Sequence, residues 1–200
     1  MIKRATIYCV SAVLGVLIGG ASALYMAGLW PGMKPLDFGD VMIDGWRSDY
    51  AIGSEAADMY TRARVARHGL LGLAKSEAVY FTRTLDSEGE VLREACSYRL
   101  SGGTMPAQWW SITLYDPDSM LPMNTDAALS HDKSRAGEGE WEAVISASEP
   151  AEAPWISSRN SGTFDLTLRL YVPDQALLDT PEAVLTPPKV ERLECAGDET

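Results

Sequence analysis

PAQWWSITLYDPDSMLPMN, residues 106–124, places two adjacent indoles, an alternating run and a turn in one short stretch. Successive residues of a β-strand project to opposite faces. Trp109, Ser111, Thr113 and Tyr115 therefore share one face, and Trp110, Ile112 and Leu114 share the other. One indole then belongs in the core, and its neighbour on the outer face or beneath a covering element. Asp116-Pro117-Asp118-Ser119 ends the strand as a turn by composition. An exposed Trp beside Ser111, Thr113 and Tyr115 offers an apolar plate with polar neighbours, suited to stacking on a sugar ring or a partner. Burial under a helix or loop is the plainer alternative for the same residue.

The same period recurs on both sides. Glu77 to Leu85 alternates, with Tyr80, Thr82 and Thr84 on one side and Val79 and Phe81 on the other. Asp86-Ser87-Glu88-Gly89 follows as a turn, and Val91 to Leu100 returns, so the two runs are expected to pair as a hairpin. In the return strand Leu92, Cys96, Tyr98 and Leu100 face one way; Arg93, Ser97 and Arg99 face the other. Ser101-Gly102-Gly103 breaks the run. Residues 125–140 read as a polar loop, Trp141 to Ala147 as a strand, and 149–161 as a loop anchored by Trp155. The cleanest alternation is Phe164 to Val172: Phe164, Leu166, Leu168, Leu170 and Val172 on one face, Asp165, Thr167, Arg169 and Tyr171 on the other. The candidates for ligand contact are Trp109, Trp110, Tyr115, Arg169 and Tyr171, with Arg169 and Tyr171 placed on the outer face of their strand. A last strand, Lys189 to Cys195, follows Pro187-Pro188.

Before this region the period is nearer four. Ser54 is a candidate N-cap for a helix over 54–68 whose apolar face is Met59, Ala63, Ala66 and Leu70, with Gly69 or Gly72 ending it. Arg62, Arg64 and Arg67 read as its solvated face. Residues 31–53, punctuated by Pro31, Gly32, Pro35, Gly39 and Gly45, read as a linker, with Trp46 and Tyr50 resting on the domain. Several strands without strand–helix alternation predict a mainly β protein: an antiparallel, jelly-roll-like sandwich over 54–200 with one short N-terminal helix.

From Ile7 to Trp30 no residue carries a formal charge. Two dozen helical residues span roughly 36 Å, enough for a bilayer core of about 30 Å. Lys3 and Arg4 precede the run, which orients the N-terminus to the cytoplasm and the rest outward. The expected arrangement is a signal anchor within residues 1–30, single-pass in a bacterial inner membrane, with a periplasmic domain. Ala21-Ser22-Ala23 keeps the alternative of cleavage near Ala23 open. Gly15 and Gly19 form a GxxxG pair, a face through which two such helices can dimerise, although small residues are common in membrane helices. Two of the 17 basic residues precede the run, so the remainder is more acidic than the net −11 of the whole chain. Such a surface disfavours nucleic acid, whose phosphates need clustered Lys and Arg. Cys9 lies inside the run. Cys96 and Cys195 remain, a candidate disulfide in an exported domain or else two separate thiols.

Taken together, HGLLGLAKSEAVYFTRTLDSEGEVL, CSYRLSGGTMPAQWWSITLYD, LPMN, LTLRLYVP and PPKVERLEC resemble, in order and spacing, the bacterial proteins gathered as domain of unknown function family 1214. The likeness runs over about residues 58–195. It implies a β-rich, jelly-roll-like domain, often behind an N-terminal membrane segment, with no settled activity. It also implies that Cys96 and Cys195 pair, as in the short, membrane-anchored branch. Gln108 stands where the family usually has Arg, and PWISSRNSGTF lacks the usual Asn-Trp-Leu-Pro pattern.

Catalytic signatures are sparse. His68 reads as a helix-surface residue and His131 as a loop residue, and no HxH, HxxxH or CxxC predicts a metal site. Ser130-His131-Asp132 holds the residue types of a hydrolytic triad, but sequence neighbours point apart. Gly102-Gly103 lacks the Lys-Ser/Thr sequel of a phosphate loop. Asp116 and Asp118 read as turn residues before they read as a glycosidase pair. No cofactor is expected. The reading is a membrane-anchored envelope module that binds a glycan or protein partner; a carbohydrate-active or other hydrolytic enzyme is the alternative.

Overall fold

Two β-sheets face each other across one apolar core in the computed structural model, which describes residues 2–30, 39–55, 57–68 and 72–196. In chain order the elements are α1 (Ile2–Met26), β1 (Val41–Ile43), β2 (Trp46–Ser48), α2 (Met59–His68), β3 (Ala78–Arg83), β4 (Cys96–Gly102), β5 (Ala107–Tyr115), β6 (Ser130–Asp132), α3 (Lys133–Ala136), β7 (Trp141–Ser146), β8 (Trp155–Ser157), β9 (Asp165–Pro173), α4 (Gln175–Asp179), α5 (Pro181–Val184) and β10 (Lys189–Cys195). One sheet has the order β1-β2-β3-β9-β5-β6 and the other β10-β4-β7-β8. The expected β-rich sandwich is therefore present. One pair departs from the antiparallel rule: β7 and β8 run parallel, inside the stretch expected as loop.

Alternation explains the core. Val79 and Phe81 of β3, Ile112 and Leu114 of β5, and Leu166, Leu168 and Leu170 of β9 enter it from the six-stranded sheet. Tyr98 and Leu100 of β4, Ala143 and Ile145 of β7 and Val190 of β10 meet them from the other. Each fully buried Leu, Ile or Phe contributes about 1.5–3 kcal/mol by leaving water. Tyr98 and Phe164 meet edge-to-face, with centroids 5.8 Å apart.

The stretch expected as a linker supplies β1 and β2, the edge of the large sheet. Trp46 is fully buried, and its indole N–H donates to the carbonyl of Pro188 at 2.8 Å. Pro31, Gly32, Pro35, Gly69 and Leu70 lie outside the described residues.

The expected hairpin between 77–85 and 91–100 forms only beside its turn, where Leu85 pairs with Val91 and the Leu92 N–H donates to the Thr84 carbonyl at 3.1 Å. The turn is correct: the Asp86 carboxylate accepts the backbone N–H groups of Glu88 and Glu90 at 2.9 and 3.0 Å. Beyond it the strands separate, because β3 is already flanked by β2 and β9 while β4 pairs with β10 and β7. Leu92 sits fully buried where the chain crosses between sheets.

The helix before β3 also differs from expectation. Asp58, not Ser54, caps it, accepting the N–H of Thr61 at 2.7 Å, while the Ser54 hydroxyl closes a turn on Ala51. Its buried residues are Thr61, Arg64 and Val65, whereas Met59, on the expected apolar face, is 75% exposed. Arg64 accounts for the rotation. Its guanidinium donates to the Met26 carbonyl at 2.7 Å and to the Thr61 hydroxyl at 2.9 Å, and lies 3.7 Å from the Asp49 carboxylate. A cation is thus seated on the carbonyl end of α1, where the helix dipole favours it. Upstream, Arg4–Met26 is long and apolar enough to cross a membrane, and its most apolar window is not buried against the domain.

The polar loop expected over 125–140 contains β6 and α3, and the loop over 149–161 contains β8. In β6, His131 is buried, not a loop residue, with ring centroids 5.9 Å from Trp110 and 5.2 Å from Trp141. The two indoles stack at 4.7 Å. Strand β9 keeps the expected alternation up to Val172, which turns outward (47% exposed) because its φ is +47°. After it come α4 and α5, which sequence periodicity left unassigned; Leu177 and Leu185 plug them onto the core. Cys96 and Cys195 stand directly opposite in the β4–β10 register and form a disulfide.

Two outcomes are expected. Leu168→Ala lowers unfolding free energy by about 2–5 kcal/mol in urea denaturation through the cavity it leaves, whereas Val172→Ala at the exposed position changes it by less than about 0.5 kcal/mol. Burial pushes the His131 imidazole below the ordinary histidine value, aided by Arg135 and opposed by Asp132. The folded state therefore favours neutral His131. Its contribution is intact above the unfolded value of about 6.5 and is lost as pH falls from there towards the depressed folded value. Urea melts from pH 8 to 5 should show the wild type losing stability relative to His131→Phe only on the acid side; parallel curves would refute this.

Candidate ligand-binding face

The second face of the six-stranded sheet is built in rows by the register of β3, β9 and β5. Ala78, Tyr171 and Trp109 form one row; Tyr80, Arg169 and Ser111 the next; then Thr82, Thr167 and Thr113. Asp165 and Tyr115 end the series. These are the residues that alternation excludes from the core, so the leucines and the polar row of β9 are set by the same pleat.

At one end Trp109 is 38% exposed, and its ring lies 5.4 Å from that of Tyr171, tilted by 55°. Nearer the other end, Arg169 Nη2 donates to the Tyr115 hydroxyl at 2.5 Å, and its guanidinium carbon is 5.3 Å from the Tyr115 ring centroid. Cation and ring quadrupole attract at this range. Between these ends lies a polar strip in which Thr82, Ser111, Asp165 and Thr167 are buried. The hydroxyls of Thr82 and Thr167 have no hydrogen-bond partner among the described residues.

Over the β3 side, a smaller core of Ile52, Val65, Ala78 and Tyr80 packs α2 onto the sheet and reaches Tyr171. Burial raises the Tyr80 phenol above its ordinary value, the Tyr171 phenol adds to this, and Arg169 pulls the other way. Trp109 is outside that small core and keeps its exposure.

Of the five candidates read from sequence, the structure gathers Trp109, Tyr115, Arg169 and Tyr171 on one face. Trp110 is not among them: at 3% exposure it belongs to the opposite side, stacked on Trp141. Gln108 is exposed beside Trp109, and its backbone carbonyl accepts from Lys133 Nζ at 3.1 Å. The sequence places Thr82, Thr113 and Thr167 on outer faces but does not reveal that Thr82 and Thr167 are buried, because nothing in a sequence shows which outer face is covered.

The remaining chemical candidates disperse. Asp116 accepts the N–H groups of Asp118 and Met120, both at 2.9 Å, so its carboxylate is spent on the turn. In Ser130-His131-Asp132 the histidine enters the core, while Asp132 caps α3 through Ser134 and Arg135. Among the described residues no group of three or more His, Cys, Asp or Glu side chains could hold a metal ion. The side chain of His68 lies outside the described residues.

Comparison with one solved structure supports the fold. A crystal structure of the VPA0106 protein from Vibrio parahaemolyticus aligns over 69% of this chain and 36% of its own, with 22% identity and a TM-score of 0.55. An uncharacterised protein from Burkholderia cenocepacia aligns over 62% of this chain and 31% of its own, with 20% identity and a TM-score of 0.38. The chain thus spans about a third of the length of either. No curated protein matches it. Residues 77–175, which run from the start of β3 into α4 and hold the whole Trp109 face, match the model described as protein of unknown function (DUF1214), and the chain belongs to that family.

Proposed function

We propose that this chain is a binding module of the bacterial cell envelope, held at the outer surface of the inner membrane by α1 and presenting the Trp109 face to a glycan or envelope partner. The observation that carries the reading is the exposed Trp109 ring beside Tyr171, continued by the Arg169–Tyr115 pair on the same face. An indole and a phenol offer flat apolar surface to the C–H face of a pyranose, and a guanidinium nearby supplies donors for hydroxyl or carboxylate oxygens. Three further features support export and anchoring. Arg4–Met26 has the length and composition of a span, Lys3 and Arg4 lie at its start, and the Cys96–Cys195 bond is of a kind rare in reducing compartments.

A glycan of the envelope is the preferred occupant because the face is amphipathic rather than broadly apolar. The test uses the full chain in detergent micelles, titrated with N-acetylglucosamine oligomers while thermal unfolding is followed. A ligand at a hundred times its Kd adds about 2.7 kcal/mol to the folded state. A raised midpoint is expected in the wild type and no rise in Trp109→Ala, with Trp155→Phe, remote from the face, responding as the wild type does. An equal rise in Trp109→Ala, or none in the wild type, would remove the glycan reading.

A further inference from the structure

On the other sheet, the Cys96–Cys195 disulfide lies in an open cleft of about 950 Å³, bordered by Arg93, Glu94, Ser146, Ser148, Gly162 and Glu194. Cys96 is buried, while Cys195 is partly exposed to the cleft. Cys195 is thus the more accessible of the two. Arg93 lies across both sulfurs: Nε is 3.2 Å from Cys96 Sγ and Nη2 is 3.9 Å from Cys195 Sγ. Among the described residues no carboxylate forms an ion pair with this guanidinium; the nearby Glu94 carboxylate instead accepts the backbone N–H groups of Asn160 and Gly162. A neutral disulfide gains little from a dedicated cation. A thiolate gains much, because an adjacent Arg stabilises the anion and a more stable thiolate leaves faster.

We propose that Cys96–Cys195 is a thiol–disulfide exchange site for a dithiol reductant, with Cys195 as the attacked sulfur, Cys96 as the leaving thiolate and Arg93 as its counter-ion. A thiolate of the dithiol enters the cleft and bonds to Cys195 Sγ. The Cys96–Cys195 bond breaks, and its electron pair goes to Cys96 Sγ beside Arg93. The second thiol of the reductant, deprotonated, then attacks its own sulfur in the mixed disulfide and releases Cys195 as a thiolate. The protein pair gains two electrons, the dithiol becomes a disulfide, and the two protons lost by the dithiol are available to the two cysteine thiolates. Because the bond joins directly opposed residues of β4 and β10, reduction removes the covalent tie between two strands that are also joined by a hydrogen-bonded ladder.

The experiment treats the full chain in micelles with dithiothreitol at pH 7.5 without denaturant, quenches with iodoacetamide, and counts alkylated cysteines by mass while circular dichroism follows the fold. The wild type is expected to reduce while folded. Arg93→Gln is expected to slow reduction by about threefold or more, since the leaving thiolate loses its counter-ion, and Arg93→Lys to stay within about twofold of the wild type. In the reduced protein, the pH midpoint for alkylation of Cys96 should rise in Arg93→Gln and return in Arg93→Lys. Simple loosening of the fold in Arg93→Gln would speed reduction, the opposite direction. A bond that persists until guanidinium unfolds the chain, or an alkylation midpoint unmoved by Arg93→Gln, overturns the proposal.

Discussion

Strand β9 has a neighbour along each edge for nearly its whole length, β3 from Ala78 to Arg83 and β5 from Ala107 to Tyr115. Everything else depends on that double pairing. With both edges occupied, every second side chain must go to the same side, and Leu166, Leu168 and Leu170 fill the sandwich. A slip of one residue would send Thr167 and Arg169 into the core and three leucines out. The cost of burying unpaired polar groups, together with the lost apolar burial, holds the register. The same constraint places Tyr171 beside Trp109 and Arg169 within reach of Tyr115, so the Trp109 face is a by-product of core formation.

Where a local rule was sufficient, the sequence was readable. Alternation assigned β3, β5, β7, β9 and β10 and divided the two indoles correctly between faces. Composition identified the turns at Asp86 and Asp116. Pairing was not readable, because it depends on which edge is free, and the turn at Asp86 looks the same whether the chain returns to β3 or crosses to the second sheet. Short elements were also hidden: β6 and β8 have three residues each, too few for a period to declare itself. His131 was misread for that reason. Arg64 was misread for another. A guanidinium is ordinarily solvated, and its burial here is compensated in part by partners distant in sequence, Asp49 and Met26.

The two sites occupy different sheets. The Trp109 face lies on β3, β9 and β5, whereas the disulfide cleft lies on β4, β7 and β10. The core between them is close-packed aromatic and aliphatic material, including the Trp110–Trp141 stack and His131. A ligand on one sheet and a reductant on the other would therefore approach without competing for surface.

Arg64 has a mechanical meaning. By gripping the Met26 carbonyl while held by Thr61 and Asp49, it ties the last turn of α1 to the body of the domain. An apolar helix joined through a slack string would let the domain tumble and sweep a hemisphere. With this grip in place, the carbonyl end of the helix is held to the domain by a charge-assisted hydrogen bond as well as by the covalent chain.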